Sequence, residues 1–120
     1  MFSIAAYIDE FKVNHKAGKL TLYKYLQLNN LSPYRNALYE VGKTYSMPRS
    51  DCDENIYNEC GAGFNVATWE WCIKELGTRG PDHKLIEVSV SFQDIIAIPI
   101  TTDGKIRVRK MKMVREVPWE

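Results

Sequence analysis

Three cysteines and two histidines are the residues of this chain with the widest chemical reach. Cys52, Cys60 and Cys72, joined by His83 or His15, would make a four-ligand set of the kind zinc takes. Structural zinc usually draws ligands from pairs about two to four residues apart, and the spacing from Cys52 to Cys60 does not fit. Cys72 sits at helical spacing among apolar residues, where a thiol behaves as a small hydrophobe. The cysteines therefore read as core and loop thiols, with no metal and no cofactor. An odd number of thiols without a CxxC pair suits a reducing cytoplasm better than a secreted disulfide framework.

A second set is basic. Lys105, Arg107, Arg109, Lys110, Lys112 and Arg115 fall within eleven residues. Cations spaced by two on a strand project from one sheet face and could follow a phosphate backbone. The plainer reading, preferred here, is a solvated strand face whose charges guard a sheet edge. Sixteen Lys and Arg against fifteen Asp and Glu give a net charge of +1. No global field points to nucleic acid or an acidic membrane.

The third set is aromatic. Tyr34, Tyr57, Trp71 and Trp119 have no apolar periodicity to explain them, and such residues are what interface hot spots are built from. The alternative is ordinary amphipathic packing with a polar tip at the surface. Tyr57 and Glu59 lie in or just beyond the acidic stretch MPRSDCDENIYN, which predicts a long surface loop over about 46–59. Gly61 and Gly63 follow it and allow close backbone approach. The residues marked for partner contact are Tyr57, Glu59, Gly61, Gly63, Trp71, Arg107, Arg109 and Lys112, with no catalytic residue among them.

The elements that must position these residues are legible from period and punctuation. Ser3 caps a helix over about 3–16, with Ile4, Tyr7, Ile8 and Phe11 as its apolar stripe. Lys19 to Leu28 reads as a strand, and Tyr39 to Tyr45 as a second strand or hairpin arm. Phe64 to Ala67 is a short buried strand. Thr68 caps a second helix that Gly77 should stop, with Trp69, Cys72, Ile73 and Leu76 inward and Trp71 off that face. Ile86, Val88, Val90 and Phe92 alternate with polar residues and should bury against Trp69, Ile73 and Leu76. Ile95 to Ile98 is another strand. A last strand from Lys105 to about Val117 changes apolar phase, which predicts a β-bulge near Arg109 or Lys110.

These elements predict one compact α+β domain over 1–120, a largely antiparallel sheet with two helices. Apolar residues are 45% of the chain, enough for a core. No apolar run approaches the ~20 residues that span a bilayer. The opening Met1-Phe2-Ser3-Ile4 lacks a basic region and a long apolar stretch, so no signal peptide is expected.

Three blocks in order resemble a small domain widespread in tailed-phage proteomes. The first is LYKYL (Leu22–Leu26) with YEVGKTY (Tyr39–Tyr45). The second is CGAGFNVATWEWCIKEL (Cys60–Leu76). The third is IEVSVSFQDIIAIPITTDGKIRVRKMKMVREV (Ile86–Val117). The resemblance covers most of the chain from Lys19 onward. That domain occurs at the C-terminal end of proteins similar to the phage rapid-lysis B protein. The resemblance implies a non-enzymatic interaction module in the cytoplasm of an infected bacterium, binding and neutralising a host defence or regulatory component. Where many relatives have His, this chain has Phe64-Asn65, and Asn65 cannot shuttle a proton.

A second likeness, at the level of fold, is to ADP-ribosyltransferases. It implies an enzyme or a nucleotide binder using Tyr23, Asn65, Thr68 and Glu87, although Lys24 stands where those enzymes carry Arg or His and no Ser-Thr-Ser is present. The partners to test are thus a host protein, then nucleic acid or a small nucleotide.

Overall fold

The computed structural model describes residues 3–32, 37–59 and 61–119; Tyr34 and Cys60 therefore lie outside the described residues. Helix α1, Ile4–Phe11, begins where the Ser3 hydroxyl accepts the Ala6 N–H at 3.0 Å. It ends with its apolar stripe at Phe11, short of the expected limit near 16, because Lys12 turns left-handed (φ 54°) and closes on Ile8. The chain then enters strand β1, His15–Lys16, and turns through Ala17 and Gly18, both at positive φ, into β2, Lys19–Gln27. Two positive φ values in a two-residue loop suit the right-handed twist of a hairpin.

Strand β3 is only Thr44–Ser46. The arm expected from Tyr39 is interrupted at Gly42, whose φ is +91°, and Tyr45 turns its hydroxyl back to accept the Glu40 N–H at 2.8 Å. Strand β4, Phe64–Val66, runs into helix α2, Trp69–Arg79. Thr68 caps α2 by accepting the Trp71 N–H at 3.2 Å. Gly77 does not stop it; the stop is Gly80, at φ +89°.

Strand β5, His83–Ser91, pairs antiparallel with β2 along its whole length, from Lys19 opposite Ser91 to Gln27 opposite His83. After β6, Ile95–Ala97, the chain forms β7, Ile106–Val108, and β8, Lys110–Val117. One sheet has the order β1-β2-β5-β8-β3 and the other β4-β7-β6, with every strand pair antiparallel. The architecture is α+β. A Cα radius of gyration of 13.3 Å matches the ~13–14 Å of one compact domain this long.

The phase change in the last basic stretch has a different cause from the one its sequence suggests. Arg109 is where the chain leaves one sheet for the other. Its N–H donates to Asp94 O at 2.8 Å and its carbonyl accepts the Met47 N–H at 2.9 Å. The bulge lies further on, at Val114, where Glu87 opposes Arg115 but Val88 opposes Met113.

Two cores result. Leu20, Leu22, Leu26, Ile86, Val88, Val90, Met111 and Met113 are buried beneath Tyr7 of α1 and Val66, Ile106 and Val108 of the second sheet. Tyr25, Leu85 and Val117 carry the other face, covered by Cys72 and Leu76 of α2. The expected contact of Ile86, Val88 and Val90 with α2 is thus corrected: α1 and the second sheet take that face. Leu85, opposite Tyr25, supplies the floor for α2. Phe92 falls in a single 3-10 turn and packs at the rim of the first core. Tyr7 also ties α1 to the turn before β7, its hydroxyl donating to Gly104 O at 2.6 Å. Gly104 has φ +136°, and a Cβ there would lie 2.6 Å from Thr68 Oγ1 and 3.2 Å from Trp71 Cβ.

Candidate functional site

Strands β2 and β4 touch at one point. Tyr23 and Ala67 exchange both main-chain hydrogen bonds, at 2.7 and 2.8 Å. Beyond it β2 stays with β5 while β4 follows β7 into the second sheet, so the two edges part. The gap is a cavity of about 440 Å³, inside the range of small-molecule sites. Lys24 reaches across its root, its ammonium donating to Asn65 O at 2.7 Å.

Five rings line this cleft: Tyr23, Tyr25, Tyr39, Phe64 and Trp71. Trp71 stacks on Tyr25 with centroids 6.0 Å apart at 30°, and Tyr39 meets Phe64 edge-on at 6.1 Å. Two cations lie over rings, Lys24 Nζ at 5.2 Å from Tyr39 and Lys105 Nζ at 5.7 Å from Trp71. Each ammonium thus lies against an aromatic face at the rim of the cleft. Asn65 Oδ1 is buried and accepts no hydrogen bond in the structure. Cys72 lies in the wall, where burial pushes its thiol pKa up to about 12. A thiol so raised stays protonated at neutral pH and is no nucleophile. No histidine and no carboxylate lines the cleft among the described residues. Past Trp71 and Lys105, a smaller depression of about 260 Å³ carries Glu59, Glu75 and Asp103.

The sequence-marked residues divide between this cleft and a loop. Tyr23 and Asn65 both line the cleft. Thr68 is buried as the α2 cap, and Glu87 pairs with Arg115 at 3.1 Å beside Tyr23. Burial, then the Glu87 charge, raise the Tyr23 phenol. Trp71 is no free anchor off its helix face: it is half-buried against Tyr25, whereas Trp69, expected inward, is 36% exposed and edge-on to Tyr23.

The loop after the Arg49–Asp51 turn is organised by Arg107, which is fully buried instead of projecting from a basic face. Its guanidinium donates to the carbonyls of Asp53 (2.6 Å), Asn55 (2.9 Å) and Asn58 (3.0 Å). Asp53 in turn accepts from Asn55 N and Asn58 Nδ2, which hold its carboxyl below its usual range. Gly61 passes close to Asp53 and Gly63, at φ +135°, against Arg107. Tyr57 is displayed on this frame at 77% exposure, and Glu59 accepts from Thr101 Oγ1 at 2.7 Å. Arg109 is ion-paired with buried Asp94 at 2.7 Å, so of the three cations marked for contact only Lys112 stands exposed. The basic run is therefore split: Lys110, Lys112 and Arg115 are exposed on β8, in line with the preferred solvated face, while Arg107 and Arg109 are engaged.

Tyr25 and Tyr39 line the cleft although neither is singled out from the sequence as a site residue, and Lys105 joins them from the basic run. The parity of Tyr23 and Tyr25 in one strand is the sole trace, since both rings fall on the same face. Cys52 and Cys72 carry free thiols. No helix among the described residues is long and apolar enough to cross a membrane. No known protein family, curated protein or solved structure matches this chain.

Proposed function

We propose that this domain is a non-enzymatic binding module whose site is the aromatic cleft between β2 and β4. Its ligand is a small molecule with a flat ring and an anionic group, the chemistry of a nucleotide. The observation that carries the reading is the cleft itself: five rings and two lysines line one cavity. Rings of this kind stack on a base, and ammonium groups at the rim meet a phosphate. Binding is favoured over catalysis because the cleft's thiol is held protonated by burial and the Lys24 ammonium is engaged by the Asn65 carbonyl. Thr68 and Glu87, needed by the enzymatic alternative, are engaged in a helix cap and an ion pair. The resemblance to the tailed-phage domain supports a setting in an infected bacterium, where such capture would withdraw a host regulatory or defence component.

Titration of nucleoside mono- and diphosphates, followed by tryptophan fluorescence and melting temperature, tests the reading. A ligand bound only by the folded state raises the melting temperature with concentration, and Lys105→Ala should weaken binding about tenfold, the loss of one charged contact. Absence of any shift with every nucleotide tried would reject it.

A second reading, direct contact with a host protein, draws support from Tyr57 alone. The ring is solvent-exposed yet stands on a loop already fixed by Arg107, so little ordering entropy opposes binding. Tyr57→Ala should then abolish capture of a host protein that the wild-type chain retains.

A further inference from the structure

The aromatic cleft has a neighbour of opposite character. Trp71 and Lys105 line both the cleft and the smaller depression past it, so the two cavities adjoin at that pair. Charge changes sign there. The described lining of the cleft holds Lys24 and Lys105 and no carboxylate, whereas that of the depression holds Glu59, Glu75 and Asp103 against Lys105 alone. Lys24 stays at the root of the cleft, on the Asn65 carbonyl and over Tyr39, and does not line the depression. Each carboxylate comes from a different element: Glu59 from the loop before β4, Glu75 from α2, Asp103 from the turn before β7. The fold brings them together, not a run in the sequence.

We infer that Glu59, Glu75 and Asp103 restrict the cleft to nucleoside monophosphates, by repelling the second phosphate of a diphosphate. The inference rests on the reading proposed above, with Lys105 as the phosphate contact. A nucleotide seated among the rings meets Lys105 with the phosphate attached to its sugar. A longer phosphate chain runs past that lysine toward three carboxylates and meets no second cation among the described lining residues. The depression, about 260 Å³, has room for another phosphate, so what opposes it is charge. Like charges brought together at a binding surface penalise the wrong ligand without weakening the right one.

Calorimetry on the full chain compares the mono- and diphosphates of adenosine and of uridine, without divalent cations and again with magnesium. Wild type should favour each monophosphate over its diphosphate by about tenfold at low salt, the scale of a like-charge contact near a protein surface. The preference should shrink as salt rises, because Glu59 and Asp103 are exposed and their charges are screened. Glu75→Gln combined with Asp103→Asn should bring mono- and diphosphate within about threefold, with circular dichroism as the folding control. Equal affinity of wild type for the two overturns the inference and leaves the cleft as a nucleotide site. So does tighter binding of the diphosphate with or without magnesium, or a preference that survives the double substitution or ignores salt. If the double variant does not fold, the salt series on wild type decides. Failure of every nucleotide to bind overturns the inference together with the reading beneath it.

Discussion

Arg107 shows how far a residue's role can lie from its composition. In sequence it is one of six cations in a run; in the fold it is wholly buried and satisfies three main-chain carbonyls of a loop about fifty residues earlier. Arg107→Ala should destabilise the protein by about 3 kcal/mol in urea unfolding, because those carbonyls lose a charged donor. Arg107→Lys should recover little, since an ammonium cannot spread three donors in a planar fork. Neighbouring Asp53 gives the loop a pH response. Its folded pKa is lowered, by the Asn55 and Asn58 bonds, so its contribution is present above the unfolded pKa and is lost as pH falls through the folded one. Protection factors of the amides across residues 53–58, taken against the intrinsic exchange rate at each pH, should fall on acidification while those of the β2–β5 ladder hold. Cys72 follows the opposite sign: raised to about 12 by burial, it should resist alkylation at pH 8 until the protein unfolds.

Element by element, the strands that are half-buried were the readable ones. In β5, Val88 and Val90 face a core while Ser89 and Ser91 do not, and the period of two is plain. Val88→Ala should cost about 2 kcal/mol or more through the cavity it leaves, measured as a lowered melting temperature. The partner of that face was not readable, because α1 and α2 both carry apolar stripes and only the topology decides which covers it. The β7–β8 junction was hidden for a related reason. Arg109 keeps the chain moving on from one strand to the next while transferring it between sheets, and a one-dimensional pattern records only the altered phase. Trp71 was misjudged because α2 packs through Trp71, Cys72 and Leu76 onto Tyr25 and Leu85, a stripe rotated from the one its hydropathy suggests.

At the scale of the whole molecule, the α+β class followed from element order, but the cleft did not. It exists because two strands touch at Tyr23 and Ala67 and then belong to different sheets, a property of neither strand alone. The electrostatics agree with a small ligand over a polyanion. Net charge is +1, and Arg107, Arg109 and Arg115 are all engaged. Duplex DNA should therefore bind weakly, with a shallow dependence of log K on log salt, because few phosphates can be neutralised. The central ladder joins residue 19 to 91 and residue 27 to 83. Such distant pairing predicts refolding in milliseconds to seconds in stopped-flow fluorescence, not microseconds.

Gly104 has a consequence for how this sequence can drift over time. Its carbonyl holds the Tyr7 hydroxyl, its φ is +136°, and a Cβ added to it would run into Thr68 and Trp71. Any replacement would have to adopt a backbone that other residues avoid, and would also push on the start of α2. Asp103 beside it has no such restriction. Among descendants of this chain, the turn should therefore vary at Asp103 beside a fixed glycine, and Tyr7 should change only when that glycine's carbonyl finds another donor.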